Sequence, residues 1–169
     1  MFRLLDFLFS LFGLILGSPL LFVIYLIALF DNGAPIFRQE RVGRDQKPFI
    51  LVKFRSMRQG TASVASHLVD VSAITPFGTF LRRTKLDELP QLWNVLKGEM
   101  SLVGPRPCLY NQTELINERA SLSVFNARPG ITGLAQVNKI DMSSPKLLAD
   151  TDARMLKEFR KESPKPLLK

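Results

Sequence analysis

Cysteine, histidine, tryptophan and tyrosine are scarce in this sequence of 169 residues. It contains one Cys (Cys108), one His (His67), one Trp and two Tyr. A single cysteine cannot form an intramolecular disulfide, which excludes a disulfide-stabilised fold. Structural zinc sites take four Cys or His ligands, so a zinc site of that kind is excluded as well. The few Trp and Tyr residues provide little aromatic surface for stacking on nucleic-acid bases.

Acidic residues are few relative to basic ones. The 23 Lys and Arg face 15 Asp and Glu, which gives a formal net charge of +8. Arg3 and Asp6 cancel within the first thirty residues, so the positive excess lies in the remainder of the chain. A basic domain predicts an anionic partner, and three classes are open: nucleic acid, acidic lipid or a phosphorylated substrate.

Uncharged apolar residues are abundant near the N-terminus. Residues 7–30, FLFSLFGLILGSPLLFVIYLIALF, carry no charge and are long enough to form a helix inserted in a membrane. The length of the run and the lack of a small-residue cleavage site argue against a cleaved signal peptide. We therefore divide the chain into a membrane helix (residues 1–30) and one soluble domain (residues 31–169), which act as one functional unit.

Two topologies are open for this run. A straight helix over residues 4–30 would be about 40 Å long, ample for a hydrocarbon core of about 30 Å. Against this, Ser18-Pro19 lies in the middle of the run, where proline removes a backbone hydrogen bond and the serine hydroxyl can bind the freed carbonyl. The pair predicts a kink at half depth. Basic residues also bracket the run, which favours both ends in the cytoplasm, so these residues slightly favour a helix that enters the bilayer and returns.

Arg3 and Asp6 are three residues apart, so they can share a helix face and pair with each other. A snorkelling Arg3 beside an incidental Asp6 is an equal alternative.

Two short strands are predicted after the membrane run. PIFRQERVG and KPFILVKFRSM flank Gly43-Arg44-Asp45, a pattern typical of a β-hairpin. The hairpin is strongly basic, and two interpretations are open: it rests on anionic headgroups, or Lys53 or Arg55 binds substrate. The small, polar residues 59–72 predict a mobile loop.

The centre of the chain carries two adjacent carboxylates, Asp87 and Glu88, in the segment TKLDELPQLW. Because proline is tolerated in the first helical turn, Pro90 predicts a helix that begins within a residue or two of Asp87. A helix N-terminus keeps a carboxylate ionised and favours phosphate or the ligands of a divalent metal. An ionised Asp flanked by cations can attack phosphorus. The pair by itself favours the alternative of a plain helix cap, in a capping box with Thr84.

A helix, a break and a second helix are predicted over residues 75–100. In the second helix, Leu89, Leu92, Trp93 and Leu96 recur at three- and four-residue spacing and predict one apolar face. This helix is predicted to end at Lys97-Gly98.

Two proline- and glycine-rich segments follow, SLVGPRP and ARPGITGLAQVN. Each places an arginine beside proline, Arg106 in the first and Arg128 in the second. A rigid backbone leaves such a guanidinium little freedom, which suits a bidentate grip on phosphate or carboxylate; a structural salt bridge is the alternative. The backbone amides of the second segment can hold phosphate, and Gln136 can read a base or a sugar.

The last helix is predicted to begin at Ser144-Pro145. Its spacing puts Asp152 on the apolar side, where a carboxylate needs a cation or a metal as partner. A structural ion pair is favoured over a role in an active site.

Together these motifs resemble the bacterial sugar transferases called monotopic phosphoglycosyl transferases. The resemblance is carried by RLLDFLFSLFGLILGSP, VGRDQKPFILVKFRSM, FLRRTKLDELPQLWNVLKGEMSLVGPRP and ARPGITGLAQVN, over roughly residues 1–156. It implies an α+β fold, with an N-terminal re-entrant membrane helix hairpin kinked at Ser18 and Pro19. A small, mostly helical cytoplasmic domain with a short β-hairpin would follow. The implied location is the bacterial inner (cytoplasmic) membrane, with the catalytic domain on its cytoplasmic face.

The resemblance implies an enzyme that moves a sugar 1-phosphate from a UDP-sugar to a polyprenyl phosphate, usually undecaprenyl phosphate, and releases UMP. This is the first membrane step of glycoconjugate assembly, and it uses Mg²⁺. Asp87 would be the nucleophile that forms an aspartyl phosphosugar intermediate, Glu88 would assist through the metal or proton transfer, and both would be metal ligands. The resemblance further implies substrate or phosphate contacts by Arg82, Arg106, Lys53, Arg128, Gln136 and Asp152.

The expected partners are a UDP-sugar, a polyprenyl phosphate and membrane phospholipid, with no nucleic acid. Many relatives continue with a further apolar segment after the last helix, so we expect either a small catalytic-domain form or an altered end. The alternative to an enzyme is a non-catalytic, membrane-anchored module that binds anionic lipid or a partner. Such a module would not need Asp87 and Glu88 beside Arg82.

Overall fold

The structure, a computed structural model, describes residues 2–61, 71–140 and 143–162. Its helices and strands are α1 (Phe2–Asn32), β1 (Ile36–Val42), β2 (Pro48–Phe54), α2 (Pro76–Thr84), α3 (Gln91–Lys97), β3 (Ser101–Val103), α4 (Thr113–Ser121), β4 (Gly130–Thr132), α5 (Leu134–Val137) and α6 (Pro145–Glu162). This mixture of helices and short strands is the α+β class that the sequence predicts. Most of the predicted loop over residues 59–72 lies outside the described residues.

Helix α1 has the length and composition of a membrane helix. An 18-residue window within its segment Arg3–Asn32 has a mean hydropathy of 2.4, and a straight helix of 31 residues is about 46 Å long. Pro19 lies inside the helix, and the Ser18 hydroxyl donates to the Ile15 carbonyl at 2.8 Å. That carbonyl is the one that would otherwise accept from the amide hydrogen that proline lacks. The predicted role of Ser18 is therefore confirmed, whereas the kink stays a prediction.

The first turns of α1 are fixed to α3 and β3. Arg3 donates to the Val95 and Leu96 carbonyls at the C-terminal end of α3. Asp6 is buried and accepts hydrogen bonds from the Ser101 hydroxyl at 2.7 Å and from the Leu102 backbone amide at 3.1 Å. Both interpretations of this pair are therefore wrong, because each side chain binds a fixed partner in the soluble domain.

The last turns of α1 contact the same domain. Ile24 and Ala28 are buried, and Ile24 packs in a cluster with Phe54 and Leu81. Asp31 accepts a hydrogen bond from the Thr75 hydroxyl at 2.7 Å. Between these attachments, residues 11–23 contain no buried side chain. The helix is thus held to one domain at both ends and exposes its apolar middle.

Strands β1 and β2 form the predicted hairpin. They pair antiparallel, with Ile36 opposite Phe54 and Val42 opposite Pro48. Because side chains alternate along β2, Phe49 and Leu51 lie on the same face. They pack in a core cluster with Val95 of α3 and with Met100, which follows α3. The hairpin therefore lies against α3, and the same face carries Arg41, Leu51 and Lys53, which line a neighbouring cavity.

Helices α2 and α3 confirm the predicted helix, break and helix, and α3 ends at Gly98, which has a φ of 85°. The predicted apolar face of α3 does not pack into the core of the domain. The buried residues of α3 are Gln91, Asn94 and Val95, whereas Trp93 is 54% exposed. The apolar face turns instead toward α1, where a Cβ added at Gly13 would lie 3.1 Å from Leu92. The partner of this face is α1, which the local sequence of α3 does not reveal.

The two proline- and glycine-rich segments pair with each other. Strands β3 and β4 are parallel, with Ser101 opposite Gly130. Just beyond β3, the Gly104 amide donates to the Thr132 carbonyl, and the Gly130 amide donates to the Pro105 carbonyl, both at 2.9 Å. A Cβ added at Gly130 would lie 2.1 Å from the Gly104 nitrogen, so only glycine fits there. The pairing fixes the backbone from which Arg106 projects.

Candidate active site

The two adjacent carboxylates lie in a 3₁₀ turn, Leu86–Glu88, between α2 and α3. Helix α3 begins only at Gln91, with Pro90 as its N-cap residue. The prediction that this helix begins within a residue or two of Asp87 is wrong. The reason is that the amides of residues 88 and 89 are used inside the 3₁₀ turn, at 3.2 and 3.3 Å, and do not form a free helix end.

The predicted capping box with Thr84 is also wrong. The Thr84 hydroxyl donates to the Phe80 carbonyl at 2.8 Å, one turn back along α2. Lys85 then adopts a left-handed conformation, with a φ of 61°, which ends α2 and reverses the chain. This turn, and not a helix terminus, sets the direction of Asp87.

Asp87 is a buried carboxylate with a free oxygen. It is 6% exposed, and its Oδ1 atom has no hydrogen-bond partner among the described residues. Burial raises the pKa of Asp87 and the charge of Glu88 raises it further, whereas the nearby Lys53 and Arg82 act in the opposite direction. Because an unpartnered buried carboxylate is costly, its presence indicates a functional use, such as attack on phosphorus or binding of a cation.

Glu88 and Arg106 form an ion pair beside Asp87. Both terminal nitrogens of the guanidinium contact Glu88 Oε1, at 3.1 and 3.2 Å. This is the salt bridge that was the alternative for Arg106. The pair is not closed off, because both residues line cavities.

Two adjoining cavities share this ion pair. The smaller one has a volume of about 10 Å³, and its charged lining residues are Arg41, Lys53, Glu88 and Arg106. The larger cleft, of about 620 Å³, is lined by polar and charged side chains at one side and by apolar ones at the other: Lys85, Glu88, Arg106, Ile131, Thr132, Ala135, Gln136, Val137, Lys139 and Ile140. Its volume is in the usual range of small-molecule sites. Asp87 lines neither cavity, but the next residue in the sequence, Glu88, lines both.

Lys53 and Arg82 supply positive charge to Asp87 from two elements. The pKa of Lys53 is lowered to about 8, chiefly by burial; Asp87 acts in the opposite direction, and nearby arginines act in the same direction as burial. The Lys53 ammonium also lies 5.3 Å from the centre of the Phe37 ring. Arg82, on α2, donates from Nε to the Ser56 hydroxyl at 2.8 Å, which fixes its guanidinium; burial lowers the pKa of Arg82.

Gln136 also reaches this region. It lines the larger cleft, where its amide nitrogen donates to the Ile131 carbonyl at 3.3 Å. Its Oε1 atom is buried and has no partner within the described ranges. Lys53, Arg82, Arg106 and Gln136 are therefore gathered around the acid pair, as the resemblance implies, and their substrate contacts stay predictions.

Arg128 and Asp152 lie elsewhere. Arg128 donates to the Gly98 carbonyl at 2.8 Å, just beyond α3, and lines neither cavity. Asp152 forms an ion pair with Arg119 at 2.7 Å, and the two side chains are 1% and 4% exposed. The structural ion pair favoured by the sequence is thus present. Arg119 also donates to the Arg106 carbonyl at 2.8 Å, so Asp152 reaches the site only indirectly.

Sequence reasoning missed Arg41 and Arg119 as part of this region. Arg41 is 8% exposed and donates to Gln39 and to the Pro107 carbonyl at 3.2 Å. The sequence signal for Arg41 is the alternation of side chains along a strand, which places Gln39 and Arg41 on the same inward face of β1. Arg119 lies four residues after the buried Leu115, on the same face of α4.

Comparison with known proteins identifies related sequences. The family model described as bacterial sugar transferase matches residues 1–160. The undecaprenyl-phosphate galactose phosphotransferase of Salmonella typhimurium is 39% identical over 153 residues, 80% of this chain and 32% of that protein. The UDP-glucose:undecaprenyl-phosphate glucose-1-phosphate transferase of Escherichia coli is 44% identical over 130 residues, 74% of this chain and 28% of that protein.

A shorter relative is matched over more of its length. An uncharacterized sugar transferase of Bacillus subtilis is 40% identical over 137 residues, 80% of this chain and 67% of that protein. The chain thus spans roughly a third of the length of the first two relatives and two thirds of the third. The family match covers nearly every described residue, including both carboxylates and α1. The chain belongs to the bacterial sugar transferase family.

Proposed function

We propose that this protein transfers a sugar 1-phosphate from a UDP-sugar to undecaprenyl phosphate or a similar polyprenyl phosphate and releases UMP. The names of the two longer relatives describe phosphotransfer to undecaprenyl phosphate. Within this chain, the observation that carries the proposal is Asp87, whose carboxylate is buried, has a free oxygen and lies near Lys53 and Arg82. A site that only binds anions has no use for a buried carboxylate at this position.

The proposed reaction has two steps at Asp87. In the first, a carboxylate oxygen attacks the phosphorus that carries the sugar, the bond from that phosphorus to the bridging oxygen breaks, and UMP leaves with the bond electrons. In the second, an oxygen of the polyprenyl phosphate attacks the same phosphorus and the carboxylate of Asp87 leaves. The products are a polyprenyl diphosphate sugar and the original enzyme, so covalent catalysis lets one site serve both substrates in turn.

The cations of the site offset charge during these steps. A carboxylate that attacks a diphosphate meets like charge, which raises the barrier unless fixed positive groups face the transferring oxygens. Lys53, Arg82 and Arg106 are such groups, and each is held by burial, a hydrogen bond or an ion pair. We assign Glu88 a supporting role, because it orients Arg106 and lines both cavities.

The donor set also fits a magnesium ion. Asp87 offers an unpartnered carboxylate oxygen, and Glu88 is adjacent to it. No group of three or more His, Cys, Asp or Glu that could hold a metal occurs in the part of the chain that the structure describes. Mg²⁺ commonly takes one or two carboxylates and completes its shell with water and substrate phosphate oxygens, which matches this site. When bound, the ion would neutralise charge on the diphosphate.

The pH dependence of the reaction should reflect the loss of a proton from the Lys53 ammonium. Because burial holds the pKa of Lys53 at about 8, kcat/KM should fall as pH rises through about 8, where the ammonium loses its charge. Lys53→Arg should shift this limb to higher pH, since a guanidinium stays charged. Rates of UMP release from pH 6 to 10 measure it.

Lys47→Arg, at an exposed lysine, is the matched control and should leave the limb in place. A limb near pH 8 that persists in Lys53→Arg would assign it to another group.

We further propose that α1 is a re-entrant hairpin, kinked at Ser18 and Pro19, which anchors the domain to the cytoplasmic face of the inner membrane. Support comes from the attachments at Asp6 and Asp31, which tie both ends of the helix to one domain. A straight helix of about 46 Å crossing the bilayer would carry its two ends to opposite faces. The exposed apolar middle would instead dip into one leaflet.

A cysteine at position 2 tests this topology. In the background Cys108→Ser, the variant Phe2→Cys should react with a membrane-impermeant thiol reagent only after the cells are permeabilised. Adding Pro19→Leu should make part of the population reactive in intact cells, because an uninterrupted helix favours spanning. Gly17→Ala is the matched control in the same helix and should change nothing. Labelling of the parent variant in intact cells would contradict the hairpin.

The reaction itself is tested with a panel of UDP-sugars. Purified full-length protein, Mg²⁺, polyprenyl phosphate and each UDP-sugar are combined, and UMP is measured. We expect sustained release with at least one sugar, dependent on the lipid phosphate, and parallel double-reciprocal plots. If no common UDP-sugar supports release, the protein is not this transferase, and the non-catalytic module becomes the better account.

A further inference from the structure

Arg41 is a buried cation whose charge the fold does not neutralise. It is 8% exposed, and its guanidinium donates to two neutral acceptors, the Gln39 side chain and the Pro107 carbonyl. Its Nε atom is buried and unpartnered. No carboxylate lies within ion-pair distance of Arg41 among the described residues. Burial, and after it the charge of Arg106, lowers the pKa of Arg41 to about 10, against the opposite effects of Cys108 and Glu88, so Arg41 is protonated at neutral pH.

Arg119 provides the contrast within the same structure. It is also buried, donates to the Arg106 carbonyl and has an unpartnered Nε atom, but it differs from Arg41 in having a buried carboxylate partner, Asp152. The fold therefore neutralises one of these two buried arginines and not the other. A buried guanidinium without a counterion is expensive, so its retention points to an anion that arrives from outside.

The cavity beside Arg41 limits what that anion can be. Its volume of about 10 Å³ is close to the smallest that holds one water-sized group. Arg41, Lys53 and Arg106 contribute three positive charges to its lining, and Glu88, already paired with Arg106, contributes the only negative one in that lining. The space suits one oxygen atom of a larger anion whose remainder lies in the adjoining cleft of about 620 Å³.

We propose that Arg41 is a substrate-binding residue that takes one non-bridging phosphoryl oxygen into this small cavity, between the guanidinium groups of Arg41 and Arg106 and the ammonium of Lys53. The inference rests on the proposed function, since the cleft would hold the rest of the substrate. A planar guanidinium whose two terminal nitrogens are held by fixed partners keeps its charge at the wall of this cavity. The phosphoryl group can come from the UDP-sugar or from the lipid phosphate, which share this chemistry.

The experiment compares Arg41→Met with Arg119→Met in the full-length protein. Binding of UDP, UMP and inorganic phosphate is measured by calorimetry, and the midpoint of thermal unfolding, Tm, is measured without ligand. Arg41→Met should weaken UDP binding by about a hundredfold and leave Tm unchanged or higher, because an uncompensated buried charge is removed. Arg119→Met should lower Tm, because it leaves Asp152 buried without its partner.

Two half-reactions identify the source of the oxygen. The first is the single-turnover burst of UMP from UDP-sugar in the absence of acceptor. The second is transfer of the phosphosugar from the covalently loaded enzyme to polyprenyl phosphate. A slowed burst with normal transfer assigns the oxygen to the UDP-sugar, and the reverse assigns it to the lipid phosphate. Wild-type affinity for all three ligands in Arg41→Met, or a lowered Tm in that variant, would overturn the proposal. Arg41 would then have only a structural role, as a hydrogen-bond donor to the Pro107 carbonyl.

This design separates the proposal from the function on which it rests. The binding arm requires no turnover. If wild-type protein binds UDP in an Arg41-dependent manner but releases no UMP from any UDP-sugar, the transferase proposal fails while the anion site stands. If UMP is released and Arg41→Met binds and turns over like wild type, the anion site fails while the transferase stands.

Discussion

Asp87→Asn should lower the rate of UMP release by at least about a thousandfold, because a carboxamide cannot serve as the nucleophile. The fold should survive the change. Burial raises the pKa of Asp87, so the charged carboxylate is disfavoured in the folded protein, and a neutral side chain of the same shape removes that cost. We therefore expect a Tm equal to or above that of wild type. UMP release and thermal unfolding are measured on the same preparation.

Glu88→Gln is the comparison variant for this experiment. It removes the charge that orients Arg106 but leaves the proposed nucleophile in place, so the expected loss is smaller, about a hundredfold. Retention of more than a tenth of the wild-type rate by Asp87→Asn would remove this residue from the nucleophile role. An equal loss in both variants with a lowered Tm would indicate collapse of the 3₁₀ turn instead.

Gly130→Ala should destabilise the protein by more than about 3 kcal/mol, at the upper end for an overpacked site. A Cβ at this position would lie 2.1 Å from the nitrogen, 2.6 Å from the Cα and 2.7 Å from the oxygen of Gly104. All three are backbone atoms that cannot rotate away. Relief of the clash would separate β3 from β4 and displace Arg106, so UMP release should fall together with the unfolding midpoint.

Gly17→Ala provides the control for a glycine-to-alanine change elsewhere in the chain. A Cβ at Gly17 would meet no atom within 4 Å. Both variants are unfolded thermally in the same detergent. A wild-type midpoint for Gly130→Ala would show that the β3–β4 contact is looser than the close packing of these two glycines indicates.

Elements specified by nearby residues were predicted well from the sequence. The hairpin of β1 and β2, the break between α2 and α3, and the bond from Ser18 to the carbonyl four residues before Pro19 all depend on local chemistry. Long-range partners were not predicted. Arg3 binds carbonyls some ninety residues away, and β3 pairs with a segment that shares no periodicity with it. Nothing in the local pattern specifies such a contact.

The candidate site shows the same division. Residue type and spacing singled out Asp87, Glu88 and Arg106, the resemblance implied their roles, and the structure pairs Arg106 with Glu88 beside Asp87. Arg128 stands beside proline and glycine and was expected to bind phosphate, yet its guanidinium donates to the Gly98 carbonyl. A guanidinium satisfies a carbonyl and a phosphate with the same donors, so spacing cannot distinguish the two uses. Arg41 was missed because its burial depends on the facing segment around Pro107.

The covalent intermediate is the central claim, and intact-protein mass spectrometry tests it most directly. The protein is incubated with a UDP-sugar that supports turnover, without polyprenyl phosphate, and is then analysed whole and as peptides. The account predicts a mass increase of one phosphosugar located on Asp87, one UMP released per protein, loss of the adduct when polyprenyl phosphate is added, and no adduct in Asp87→Asn. Turnover in the presence of both substrates, with no adduct and no UMP released before the acceptor is added, would contradict it.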